Sequence, residues 1–363
     1  MLNMLSREIV RNFKIYFIVG FIFTTFSAYS RLILSEMYGI EVLGHPSVSF
    51  HVKMRFALLI IFLGSFGLAL LSSIFDILII KRLLTNNSLK IALIIGIPTQ
   101  AIMIVLIVQF INFLYEHAIL YVFGEPAIPL DVAEIVFGVI HLIMAVSLSK
   151  LLIAIDRKLG PGNLWKMLSG RFFKPREEER IFMFVDLKNS TPIAEKIGHL
   201  EYSRLLQDCF QDFSIVDRYR ADIYQYVGDE VVVSWTLKKG LKNDNFLKAF
   251  FAFTDLLNKK SNYYQKKYGI DPFFKAGANV GPVIISEVGD IKKEITYHGD
   301  TLNTAARIQE KCNDLSAQLL ISEPLYRLIE KKEAYQIDDV GSIHLKGKKK
   351  YVRLYRVAQI NQD

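Results

Sequence analysis

The chain has 363 residues, 52% of them hydrophobic, and a formal net charge of +8. That length has room for two or three domains, and the apolar share is too high for a wholly soluble protein. A positive balance in a membrane protein is first explained by Lys and Arg held on the cytoplasmic side, so nucleic-acid binding is not expected. The two cysteines, Cys209 and Cys312, lie far apart in the polar half, which suggests reduced thiols used for packing and no disulfide framework.

Four apolar stretches, near residues 13–34, 56–80, 91–113 and 132–155, are long enough to cross a hydrocarbon core that needs about 20 helical residues. The first carries Arg31 near its end and no small-residue cleavage site, which argues against a signal peptide. Arg7, Arg11 and Lys14 open span one, Lys81, Arg82 and Lys90 join spans two and three, and Arg157, Lys158, Lys166, Arg171 and Lys174 follow span four. The connection between spans three and four carries Glu116, Glu125 and Asp131 and no Lys or Arg. Both termini, and everything after span four, are therefore predicted on the cytoplasmic side of the cell's inner membrane. Lys53 and Arg55, near the end of the first outer connection, fit this less cleanly. Asp76, Gln109, Asn112 and His141 sit at costly depths inside the spans, and His117 lies near the outer surface. Polar contact between helices is a simpler reading of them than a sensor pocket or His ligation of a metal.

Gly160-Pro161-Gly162 breaks the last span. The following LWKMLSGRFFK mixes Trp165, Leu168, Phe172 and Phe173 with Lys166, Arg171 and Lys174, as either a short interfacial helix on lipid or a plain connector would. Pro175 and the charge run 176–180 mark a boundary, giving a membrane domain over residues 1–155, a linker over 156–179 and a soluble α/β domain over 180–358.

That last domain opens with IFMFVDLKNST, where 181–185 reads as a buried strand, Asp186 stands at its end, and Ser190 or Thr191 caps a helix running from about 192 to 219. A carboxylate there, beside backbone N–H groups and two hydroxyls, suits a cation bound to phosphate. ADIYQYVGDEVVVSW reads as strand, turn, strand with Asp229 at the tip. On those residues alone Gly228-Asp229 is most simply a hairpin turn. Placed beside Asp186, Asp229 would complete a pair of carboxylates able to share hard cations. In ITYHGDTLNTAARIQEKC a strand breaks at Gly299, Asp300 caps, and a helix over 301–311 puts Asn303 and Arg307 on one face. FLKAFFAFTDLLNKKSNYYQKKY, 246–268, has helical apolar spacing that places its aromatics in packing.

Together these three pieces resemble the class III nucleotidyl cyclases, the adenylate and guanylate cyclase catalytic domain, from about residue 180 to 357, including the late strand pair around HLKGKKKYVRLYRV. With the four apolar stretches, the expected fold is a four-helix membrane bundle followed by a mixed α/β domain, to which the resemblance gives a ferredoxin-like core. The resemblance implies that Asp186 and Asp229, with the Leu187 carbonyl, hold two divalent cations, Mg²⁺ or Mn²⁺. Asn303 would orient the ribose, Arg307 would stabilise charge on the phosphates, Lys346 would meet the terminal phosphate, and the Ser190 and Thr191 region would face the phosphates. Family sites form between two domains, so the implied assembly is a homodimer. The chain departs from the family at the base: Gln225 stands where adenylate cyclases usually carry Lys, and Thr296 occupies the partner position. Thr296 favours ATP, with GTP or a pyrimidine triphosphate as alternative substrate. A diguanylate cyclase is suggested by VGDEVVV, but Val227 and Val231 break that signature. A silent scaffold is disfavoured because both aspartates, Asn303 and Arg307 are present.

Overall fold

The computed structural model describes residues 2–38, 50–77, 102, 105, 109, 113, 132–160, 162–291, 293–348 and 350–360. The chain forms two compact units, residues 1–158 and 159–363.

The first unit contains α1 (Leu2–Tyr38), α2 (Phe50–Phe75) and α3 (Val132–Leu159). Among the described residues two stretches, Arg7–Tyr29 and Val136–Leu159, are long and apolar enough to cross a bilayer, and Ile61–Phe75 is a shorter apolar helix. Of the remaining expected span, residues 102, 105, 109 and 113 alone are described, in helix; Asn112 and the outer connection with Glu116 and His117 lie outside the described residues. Helices α1 and α2 meet through edge-to-face rings, Phe13 on Phe66 at 5.1 Å and Phe17 on Phe62 at 5.4 Å. Just past α2, Asp76 accepts a 2.5 Å hydrogen bond from Tyr16, so this buried carboxylate ties two helices together. His141 contacts its own helix, with Nδ1 2.9 Å from the Phe137 carbonyl.

The second unit begins with the short helix α4 (Asn163–Leu168). The expected interfacial helix is only this long, and Leu164 and Phe172 are buried in the domain while Trp165, Leu168 and Phe173 remain exposed. The charge run 176–180 forms the first part of β1 (Arg176–Leu187). These residues lie antiparallel to the far half of β4 (Phe274–Val288). Next come α5 (Ser190–Ile197) and α6 (His199–Phe213), then a 3₁₀ segment to Tyr219. The single helix expected over 192–219 is thus divided at Gly198, whose φ of 81° leaves the helical region. The hairpin is β2 (Asp222–Val227) and β3 (Glu230–Thr236). Helix α7 (Leu237–Leu241) leads to α8 (Asn245–Lys259) and α9 (Ser261–Tyr268), the aromatic helix in two pieces. After β4 come β5 (Glu294–His298), α10 (Asp300–Asp314), β6 (Leu319–Ser322), α11 (Glu323–Arg327), β7 (Tyr335–Ile343) and β8 (Val352–Gln359).

The eight strands form one mixed sheet in the order β2-β3-β1-β4-β6-β8-β7, with β5 paired to the far end of β4. Among the described strands β4 and β6 pair in parallel and the other pairs are antiparallel. Alternation along β1 decides the two faces. Ile181, Met183, Val185 and Leu187 point into the main core with Leu205, Phe213, Phe250 and Phe253 of α6 and α8. Phe182 and Phe184 face the other way, toward Ala305 and Leu302 of α10. Cys209 and Cys312 are buried free thiols, each pushed up to about 12 chiefly by burial, and so behave as packing residues.

Helix α10 seats in a notch of β4. A Cβ on Gly277 would stand 2.1 Å from the Gln309 nitrogen and one on Gly281 2.7 Å from Thr301 Oγ1, so Gly277 admits the helix backbone and Gly281 the Thr301 side chain. Between them, Asn279 donates to the Thr301 carbonyl at 3.2 Å and accepts from Ser322 at 2.7 Å. Gly277→Ala is expected to cost about 1–3 kcal/mol through overpacking against backbone. A thermal midpoint equal to that of the wild type in the same detergent contradicts this seating.

Candidate active site

Register across three strands builds the site. Asp186, at the end of β1, pairs with Glu230 on β3 and with Lys275 on β4, so one face carries the row Glu230, Asp186, Lys275. Directly opposed side chains on neighbouring strands stand about 5 Å apart, within electrostatic reach. Lys275 Nζ lies 3.2 Å from Asp186 Oδ2, and Gln309 of α10 donates to the same oxygen at 3.0 Å. Gly228 and Asp229 form the two-residue turn that joins Val227 to Glu230. Gly228 has φ of 61°, the left-handed value that such a turn asks of its first residue. The turn is real, and it holds Asp229 beside the other acids.

Burial is the main cause that raises Asp186, with the charge of Asp229 adding to it and Lys275 and Gln309 opposing. Glu230 is pushed up to about 7, first by burial and then by the charges of Asp186, Asp229 and Glu310. Three acids thus converge beside the Lys275 ammonium. Tyr202 of α6 also reaches this end of the sheet: its hydroxyl is raised by burial and by Asp229 and is hydrogen-bonded to Ser190. Lys275, Gln309 and Tyr202 were not singled out from the sequence. The signal for Lys275 was present in FKAGANVG, a charge opening a strand of small residues.

Among the described residues no group of three or more His, Cys, Asp or Glu side chains is disposed as a metal cage. The donors are hard oxygens all the same. Two carboxylates and a carbonyl at Leu187 fit Mg²⁺ or Mn²⁺, which keep several waters and take other ligands from substrate phosphates. The excess negative charge is the feature such an ion would relieve.

The remaining expected residues fall into separate groups. Asn189, with φ of 59°, occupies the N-cap position of α5, so Ser190 and Thr191 sit in its first turn and do not cap it. Gly299 precedes α10 in the same way, and Asp300 makes no cap bond; its carboxylate pairs with Lys348 of the β7–β8 turn. Lys348 is therefore engaged, while Lys346 is exposed and Lys349 lies outside the described residues. Asn303 and Arg307 lie opposite the face of α10 that carries Thr301, Ala305, Ile308 and Cys312 into the sheet. Arg307 pairs with Glu310 at 2.5 Å. Among the described residues no hydrogen bond or ion pair joins Asn303 or Arg307 to Asp186 or Asp229 of the same chain. Gln225 is exposed on β2, one residue past the bulge at Tyr224. Thr296 is half-buried on β5 opposite Ser286. These two strands meet where the Tyr224 and Tyr297 rings stand edge-to-face at 5.0 Å.

A family model, "Adenylate and Guanylate cyclase catalytic domain", matches residues 174–359. Adenylate cyclase 2 of Rhizobium meliloti (strain 1021) is 34% identical over 191 residues, 52% of this chain and 53% of that protein. The receptor-type guanylate cyclase gcy-28 of Caenorhabditis elegans is 23% identical over 46% of this chain and 13% of its own length. The chain thus spans about half or less of these relatives. A bacterial light-regulated adenylyl cyclase shares the fold with a TM-score of 0.53 at 19% identity, covering 61% of this chain and 66% of that one.

If Lys275 holds the acids together without a cation, Lys275→Met should lower the thermal midpoint by several degrees in EDTA, because an acid cluster is left uncompensated. Added Mn²⁺ should recover much of that loss. An equal loss with and without Mn²⁺ contradicts the assignment of these acids to a cation site.

Proposed function

The chain belongs to the adenylate and guanylate cyclase catalytic-domain family, and on that premise we propose that it is a membrane-anchored adenylate cyclase forming 3′,5′-cyclic AMP and pyrophosphate from ATP. The observation that carries the chemistry is the convergence of Asp186, Asp229 and Glu230 at one end of the sheet, opposed by the Lys275 ammonium. Asp186, Asp229 and the Leu187 carbonyl would hold two divalent cations, which when bound activate the ribose 3′-hydroxyl and neutralise the triphosphate and pyrophosphate.

The chain's own groups bind and orient. Asn303 offers an amide to the ribose, and the Arg307 guanidinium, a fixed fork of donors, matches phosphate oxygens in which charge develops. Ser190, Thr191 and Lys346 supply further donors toward the phosphates. Gln225 and Thr296 read the base. Because Asn303 and Arg307 face away from their own sheet, a site with both halves calls for a second copy, and we assign a homodimer with two equivalent sites. Four membrane spans, cytoplasmic termini and a division at about residues 155 and 180 belong to the same proposal, with contact to membrane lipid and no role for nucleic acid. In this reading the membrane unit raises the effective concentration of the two catalytic units.

A guanylate cyclase is the second reading, favoured by Gln225 standing where a base-reading Lys is usual and by Gln being both donor and acceptor. Purified full-length protein with Mn²⁺ or Mg²⁺ should release cyclic AMP from ATP faster than cyclic product from GTP, CTP or UTP. Asp229→Ala and Arg307→Ala should each lower that rate by about 10²–10³-fold, the scale of losing one transition-state charge contact. Gln225→Lys should widen the preference for ATP. Release of another cyclic nucleotide changes the substrate, and full activity in Asp229→Ala refutes the site.

A further inference from the structure

We propose that His298 is a positioning residue that makes Thr296 a hydrogen-bond acceptor, and thereby sets the preference for adenine over guanine; this rests on Thr296 reading the base. Thr296 and His298 are two apart on β5 and so project from the same side of the strand. Thr296 Oγ1 lies 2.9 Å from His298 Nε2 and 3.4 Å from the Ser286 carbonyl on the paired strand. Between them Tyr297 points the other way, into Phe182 at 5.2 Å and Tyr224 at 5.0 Å, with the Arg180 guanidinium over its ring at 5.0 Å. That anchor fixes the strand and leaves Thr296 a definite direction.

A threonine hydroxyl has one proton and two lone pairs. Here the proton has two takers. If Nε2 is the bare nitrogen, it accepts the Thr296 proton and both lone pairs remain available. If Nε2 carries hydrogen, it donates to Oγ1, and the Thr296 proton turns to the Ser286 carbonyl, leaving one lone pair. In either tautomer the hydroxyl proton is committed within the protein, and Thr296 offers a nucleobase only an acceptor. The exocyclic N6 amino group of adenine is a donor, and the O6 of guanine at the corresponding position is an acceptor. The pair therefore accepts adenine and sets two acceptors against each other for guanine.

Without His298 only the long 3.4 Å contact to Ser286 holds the proton, and the hydroxyl becomes free to donate. Full-length His298→Ala should therefore narrow the ATP-to-GTP ratio of kcat/KM by about 2- to 10-fold, the worth of one neutral hydrogen bond. His298→Gln, whose amide can take either role, should restore most of the ratio, which a merely structural loss does not do. In a Thr296→Ala background His298→Ala should change the ratio no further. Equilibrium competition between ATP and GTP for the purified protein gives the same ratio without turnover. An unchanged ratio in His298→Ala, with Thr296→Ala shifting it, overturns the role of His298. An unchanged ratio in Thr296→Ala removes the base-reading role of Thr296 beneath it, and the inference with it.

Discussion

The catalytic unit is organised around a repulsion. Glu230 and Asp186 are direct neighbours across β1 and β3, and Asp229 sits one residue away on the turn. A sheet selected for stability alone would not place like charges opposite one another. Lys275 on the other neighbouring strand and Gln309 from the helix above make the arrangement tolerable. Gln309 arrives only because α10 sinks onto Gly277 and Gly281, so the glycine notch and the acid row are parts of one solution.

Helix α10 divides its labour by face. Its buried side packs the sheet and steadies Asp186, while its outer side presents Asn303 and Arg307. One rigid element thus serves its own chain's acids and, in the proposed dimer, the site of the other copy. Two contacts tie this element and its neighbours to the rest of the unit: Lys348 from the β7–β8 turn meets Asp300 at the start of α10, and the Glu287 N–H of β4 donates to the Phe172 carbonyl at 3.0 Å. The second contact anchors the segment that leaves the apolar half to the strand carrying the β5 hairpin.

Local chemistry made much of this readable in advance. The apolar run ending in Asp186, the Gly-Asp turn and the Asn303–Arg307 spacing each carry their structure within about ten residues, and the folded unit contains a strand, a hairpin and a helix in those places. Long-range pairing was not readable. Nothing near Asp186 announces that Lys275 will lie in register with it, or that residues 176–180 will find β4 and extend β1. Helix ends were read from side-chain caps, whereas Asn189 and Gly299, both with positive φ, precede the two helices without side-chain capping bonds. Lys348 and His298 likewise owe their partners to turns and strand geometry that composition does not reveal.

The claim on which the account depends is that each reaction centre takes its acids from one copy and its Asn and Arg from the other. Asp229→Ala and Arg307→Ala, each expected to be slowed about 10²–10³-fold, can be produced together in one membrane, where half of randomly formed dimers would hold one intact site. The account predicts that activity returns to at most about a quarter of the wild-type level, as two-fold symmetry requires. A mixture that stays inactive while both variants fold and associate would contradict it.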